Sequence, residues 1–200
     1  LKRAFAEQKP HLGDFSRKSG SGKCIEALQE ILPKNEPLSL KEIAAVLKTE
    51  EAVLLQRFFP QGVPKEARAG LKVLSRCRHV LEEGKRVESA CEALKAKDPV
   101  RFGDLMLQAH RSASRYYEIS TPELDLLVEI MCKAGAYGAR LTGAGFGGFA
   151  IGLVERNLAD YLISEVDEKF YKGKLKGEDL KEVRFIFEPS DGASVNEAVR

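Results

Sequence analysis

The chain has 200 residues, 44% of them hydrophobic, which suffices to bury a core and argues against disorder. Lys plus Arg total 32 against 30 Asp plus Glu, so a net charge of +2 gives no electrostatic reason to expect nucleic acid as a partner. The apolar run at residues 149–154 falls far short of the roughly 20 residues that cross a bilayer, so no membrane association is expected.

Cys24, Cys77, Cys91 and Cys132 are widely separated and include no C-x-x-C pair, which speaks against a zinc or redox motif and fits a reducing, cytoplasmic location. The chain opens at Leu1 without an initiator Met or a charged-then-apolar signal segment, the pattern of a fragment or a trimmed protein.

Residues 1–37 read as an irregular leader or interdomain segment, interrupted by Pro10, Gly13, Pro33 and Pro37, with one helix over 23–32. Within it, Ser19-Gly-Ser-Gly-Lys23 resembles the end of a phosphate-binding P-loop. Arg17 stands where that motif needs its first glycine and Cys24 where it needs Ser or Thr, so the stretch is read as a linker. Ser39-Leu-Lys-Glu42 has capping-box spacing and places a helix start at Ser39. A second start follows at Thr49, with Glu50 and Glu51 suited to the positive helix end, and Pro60 closes that segment.

Residues 65–96 are strongly helical in composition, with Leu71, Leu74, Val80 or Leu81, Val87, Cys91 and Leu94 at three- and four-residue spacing and Gly84 as a weak interruption. Asp98-Pro99 reads as N-cap and first helical residue of a helix carrying Phe102, Leu105, Met106 and Ala109 on one face. Thr121-Pro122-Glu123 repeats that start signal, and Leu124, Leu127, Val128 and Met131 supply the apolar stripe. His79 and His110 lie in these helices, each beside an arginine. Both are read as hydrogen-bonded structural histidines at helix interfaces rather than a base or a metal ligand. Tyr116 and Tyr117 could stack on a sugar or base and are read as packing residues.

Arg140-Leu-Thr-Gly-Ala-Gly-Phe-Gly-Gly148 places four glycines in six positions between strands over 137–141 and 149–154. Such a loop can turn inward-facing N–H groups toward an anion such as phosphate, or serve only as a hairpin turn. Weak alternation over 149–154 predicts a strand that is central or covered on both faces. A helix over 157–171 and a closing strand over 183–187 complete a β-β-α-β final third behind a helical first two-thirds, an α+β fold.

Thr142-Gly-Ala-Gly-Phe-Gly-Gly148, preceded by Tyr137-Gly-Ala-Arg140 and Pro122-Glu-Leu-Asp-Leu-Leu-Val128, resembles the third signature motif of the galactokinases within the GHMP kinase superfamily. Arg76-Cys-Arg-His-Val80, Met106-Leu-Gln-Ala-His-Arg-Ser112 and Pro189-Ser-Asp-Gly-Ala193 resemble galactokinase segments in the same order, so the likeness covers about residues 70–195. It implies that residues 38–200 form a GHMP kinase C-terminal domain, with helices packed on an antiparallel sheet. It also implies that Gly143, Ala144, Gly145, Phe146, Gly147 and Gly148 adjoin the phosphate loop that holds ATP. Galactokinases usually carry glycine where Ala144 stands.

The family's sugar-recognition motif, its ATP loop and its catalytic Asp and Arg belong to an N-terminal half that nothing in this sequence matches. The resemblance therefore implies no catalytic residue and no metal ligand here, with MgATP held mainly by the N-terminal domain as partner. The implied reaction is phosphorylation of galactose at its anomeric hydroxyl. Alternatives are a related sugar kinase acting on N-acetylgalactosamine or arabinose, a non-catalytic sensor, or an orphan half-protein. The chain alone is expected to be inactive and to self-associate through an uncovered apolar face.

Overall fold

The computed structural model describes residues 12–175 and 179–189. His11 and the first part of the leader, and residues 190–193 of the terminal motif, lie outside the described residues. The element order is α1 (Leu12–Ser19), α2 (Ser21–Ile31), α3 (Leu40–Leu47), α4 (Glu51–Phe58), α5 (Val73–Lys95), α6 (Pro99–Ser112), α7 (Pro122–Lys133), β1 (Gly138–Thr142), β2 (Phe149–Leu153), α8 (Ala159–Val166) and α9 (Asp179–Val183). Two single π-helical turns extend α6 and α8, at Ala113–Tyr117 and Asp167–Tyr171. This is a helix-rich α+β fold around a two-stranded antiparallel sheet.

Local chemistry accounts for three of the helix starts. Ser39 and Glu42 form the full capping box, the Ser39 hydroxyl accepting from the Glu42 N–H at 3.2 Å and Glu42 accepting from the Ser39 N–H at 2.7 Å. Asp98 accepts from the Arg101 N–H at 2.9 Å ahead of Pro99, and the Thr121 hydroxyl accepts from the Leu124 N–H at 3.3 Å ahead of Pro122. Two starts differ from the sequence expectation. The second helix is capped at Glu50, one residue beyond Thr49. The long helix begins at Val73 rather than 65, because Leu71 bridges Leu38 and Glu36 reaches across to accept from the N–H groups of Leu74 and Ser75. The leader is also more regular than its prolines suggest. Residues 12–19 and 21–31 are helical, and of the Ser19–Lys23 stretch only Gly20, at φ 81°, is non-helical, the junction between α1 and α2.

Two apolar centres result. Leu32, Leu38, Ile43, Ala44 and Leu54 pack with Leu28, Leu71 and Leu74 to join the leader helices to the start of α5. Val128, Ile130, Met131, Ala134, Ala139, Leu162 and Val166 seal α7 between the sheet and α8. Burial of such side chains stabilises the fold by about 1.5–3 kcal/mol for each large one.

The strands pair with Gly138 opposite Leu153, Arg140 opposite Ile151 and Thr142 opposite Phe149. Helix α6 covers the other edge of β1, which is why Gly103 sits inside a helix. A Cβ on Gly138 would lie 1.7 Å from the Gly103 carbonyl oxygen, so this contact is backbone on backbone. The buried side of α6 is therefore Gly103, Ala109, His110 and Ser112, whereas Phe102, Leu105 and Met106 are half-buried.

Two strand expectations are corrected. β2 is not covered on both faces: none of its residues is fully buried and Phe149 is exposed. The closing strand is absent too, since residues 184–189 follow α9 without pairing. Arg184 pairs with Asp167 at 2.6 Å and Glu188 with Arg156 at 3.0 Å, and these ion pairs hold the segment beside α8 rather than along the sheet. Phe185, Ile186 and Phe187 are left exposed.

Candidate functional site

The glycine loop springs from the end of β1 and returns into β2. Gly143, Gly145, Phe146, Gly147 and Gly148 all have positive φ, from 59° at Phe146 to 132° at Gly147. A carbonyl outside the loop sets this conformation. Ile119 accepts from the Phe146 N–H at 2.7 Å, and a Cβ on Gly145 would stand 2.4 Å from the same oxygen. Only glycine admits that approach together with φ 83°. Gly147 differs, with nothing within 4 Å of a Cβ placed on it. Among the described residues, no acceptor meets the N–H groups of Gly143, Ala144, Gly145, Gly147 and Gly148. Phe146 projects outward and is 76% exposed, so it is no part of the core.

Ile119 is itself braced. The π-helical turn at Ala113–Tyr117 ends on Glu118, a non-glycine residue at φ 58°. Arg76 of α5 donates to the Tyr116 carbonyl and to Glu118 at 2.7 Å, and Lys72 also pairs with Glu118. Hydrogen bonds from Lys72 and Arg76 hold the Glu118 carboxyl below the usual carboxylate range. His79 stacks on Tyr117 with ring centroids 4.6 Å apart and shares a 2.9 Å hydrogen bond with Ser112, while the Arg78 guanidinium lies 4.6 Å over the Tyr116 ring. Tyr116 and Tyr117 are thus packing residues of this bracket. The π turn inserts one residue's worth of phase and aims the Ile119 carbonyl back at the loop.

A second support stands at the loop's root. His110 is 5% exposed, and its Nδ1 accepts from the Leu141 N–H at 3.2 Å. Its Nε2 lies 3.0 Å from Asp125 Oδ1. Asp125 also accepts from the Ser120 hydroxyl at 2.6 Å and from the Ser114 hydroxyl at 3.1 Å. Burial pushes the His110 ring below the ordinary histidine value, against the pull of Asp125. An open cleft of about 520 Å³ between α6 and α7 adjoins this group and carries Arg111, Glu129 and Lys133. Arg140, two residues before the strand's end, pairs with Glu83 at 3.2 Å and so ties β1 to α5.

Sequence reasoning located the loop and the structural character of both histidines. It missed Ile119, Asp125 and Arg76 as the loop's supports, because each acts across a long sequence gap. The one available signal was a histidine placed among the apolar positions of α6.

A family model described as GHMP kinases C terminal matches residues 90–172, which run from late α5 through β1, the loop and β2 to the second π turn. Residues 90–172 are thus similar to the C-terminal domain of the GHMP kinases. The galactokinase of Dictyostelium discoideum is 28% identical over 86% of this chain and 39% of its own length. That of Thermococcus kodakarensis is 42% identical over 58% of this chain and 32% of its own length. The crystal structure of Lactococcus lactis galactokinase complexed with galactose superposes with a TM-score of 0.50 at 26% identity, covering 84% of this chain and 39% of that one. The chain is therefore similar to part of the galactokinases, and it spans less than two-fifths of the length of these relatives. No helix among the described residues is long and apolar enough to cross a membrane.

Proposed function

We propose that this chain is the C-terminal part of a galactokinase, which transfers the γ-phosphoryl of MgATP to the anomeric hydroxyl of galactose in the cytoplasm. The observation that carries it is the loop at residues 143–148: the N–H groups of Gly143, Ala144, Gly145, Gly147 and Gly148 are free of protein acceptors among the described residues, while its root is held by His110 and its centre by the bond from the Phe146 N–H to Ile119. Fixed N–H groups of this kind suit phosphate oxygens and cost no reorganisation when charge develops.

Phosphoryl transfer depends mainly on positioning and electrostatic stabilisation, so a domain can contribute without supplying an acid or a base. Gly143, Ala144, Gly145, Gly147 and Gly148 would face the nucleotide phosphates by backbone alone, with Phe146 anchoring the loop among them through its N–H on Ile119. Mg, bound with ATP, would neutralise charge on the transferred group. Its ligands, the sugar contacts and the group that accepts the hydroxyl proton are assigned to the N-terminal half of the family.

The test is a coupled ADP-release assay with galactose. The 200-residue chain alone is expected to show no sugar-dependent turnover, and mixing it with the separately expressed N-terminal half of a galactokinase is expected to restore some. Turnover by the chain alone, or addition of ATP to the mixture without any change in the amide signals of residues 143–148, would overturn the assignment.

A further inference from the structure

We propose that His110 is a positioning residue for the glycine loop, acting as a neutral ring whose Nδ1 holds the Leu141 N–H and whose Nε2–H is held by Asp125. The chemistry of the two partners fixes the tautomer. A backbone N–H can only donate, so the Nδ1 facing Leu141 at 3.2 Å must present its lone pair. The ring proton then sits on Nε2 and is donated to Asp125 Oδ1 at 3.0 Å. Hydroxyl donation from Ser114 and Ser120 keeps that carboxylate oriented.

One imidazole therefore joins four parts of the molecule. It belongs to α6, grips the end of β1, is fixed by α7, and through Asp125 and Ser120 adjoins the carbonyl of Ile119 that holds Phe146. The loop is clamped at its root and at its centre by one connected set of bonds. Protonation at Nδ1 would set two N–H donors face to face and release the root. The charged groups acting on the ring are Asp125 from α7, which favours the cation, and Arg111 from α6 and Arg140 from β1, which oppose it. Arg115, Glu129 and Lys133 stand farther out along the adjoining cleft. Burial adds to the two arginines, so the clamp is closed at neutral pH and opens in acid.

The consequence for turnover rests on the proposed phosphate-facing role of the loop, but the tautomer and the clamp do not. The test uses the ¹⁵N-labelled 200-residue chain without substrate. Long-range ¹H–¹⁵N spectra should show His110 with its proton on Nε2 and a titration midpoint below the ordinary value of about 6.5. The amide signals of Leu141 and residues 143–148 should move with that same midpoint. His110→Asn places an amide oxygen where Nδ1 stood, so it should keep the loop signals near wild type at pH 7 and abolish their pH response. His110→Gln reaches Asp125 but withdraws the acceptor from Leu141, so it should shift them. A proton on Nδ1, loop signals indifferent to the ring's titration, or equal behaviour of the two variants would overturn the proposal. Should neither variant fold, the wild-type titration decides alone. Because no turnover is read, failure here leaves the galactokinase assignment standing, and failure of that assignment leaves the clamp standing.

Discussion

The two strands of the sheet are equal in length and paired residue for residue, yet they live in different surroundings. β1 is built of small or shielded residues: Gly138, Ala139 and Leu141 are all buried, and α6 covers the edge that faces away from β2. β2 is the more apolar of the two by sequence, Phe149-Ala-Ile-Gly-Leu153, yet none of its residues is fully buried. Among the described residues nothing pairs with its outer edge. Apolar content and burial thus separate, and the separation locates function. The strand that must aim the loop is the enclosed one, while the open strand presents the kind of edge and apolar face that another chain segment covers.

The contrast breaks most severely at Gly138. A methyl group there would meet the Gly103 carbonyl oxygen at 1.7 Å, so Gly138→Ala should cost about 3 kcal/mol or more, read from urea unfolding. A wild-type midpoint would mean that α6 does not close on β1. Next comes Gly145→Val, which combines a positive φ with a contact of 2.4 Å to the Ile119 carbonyl and should lose about 2–4 kcal/mol in the same measurement. Gly147→Val meets strain but no neighbour, so its stability should fall by only about 1–2 kcal/mol. In the reassembled kinase it should nonetheless cut turnover at least tenfold, because a β-branched residue there crowds the ligand side of the loop. Equal stability losses at 145 and 147 would erase the distinction between a held and a free half of the loop.

A smaller effect is expected from pH. Burial lowers the folded values of His79 and His110, so below about pH 6.5 the unfolded chain takes up protons that the native one refuses. Stability is then full above that pH and declines as pH falls toward the folded values. Urea midpoints between pH 7.5 and 5.5 should show this, and His110→Asn should flatten part of the slope. Smallest of all is Phe149→Ser on the open face, with unfolding expected within about 0.5 kcal/mol of wild type. Its effect should appear instead as weaker self-association in sedimentation experiments.

The legible parts of the fold are those written over a few residues. Ser39 with Glu42, Asp98 with Pro99, and Thr121 with Pro122 each announce a helix start because donor and acceptor lie within one turn. The loop was legible because four glycines in six positions have few other uses. Illegible were contacts that chain proximity does not encode. Leu141 meets His110 across 31 residues, and Gly103 meets Gly138 only because α6 is placed on the strand edge. Residues 183–187 mislead for a related reason. Their composition suits a strand, but pairing needs an available edge, and Arg184 and Glu188 are engaged elsewhere.

The cap of α5 carries a kinetic consequence. Lys72 offers no side-chain bond to the helix it precedes, so the first turn of α5 relies on Glu36, 38 residues upstream of Leu74. A local cap can form with the first turn of a helix, within about a microsecond, whereas this one waits until the intervening chain, with α3 and α4, has closed its loop. The N–H groups of Leu74 and Ser75 should consequently gain exchange protection later in refolding than those at the middle of α5. Since Arg76, one residue farther on, grips Tyr116 and Glu118, the bracket behind the glycine loop would be among the last parts of the molecule to set.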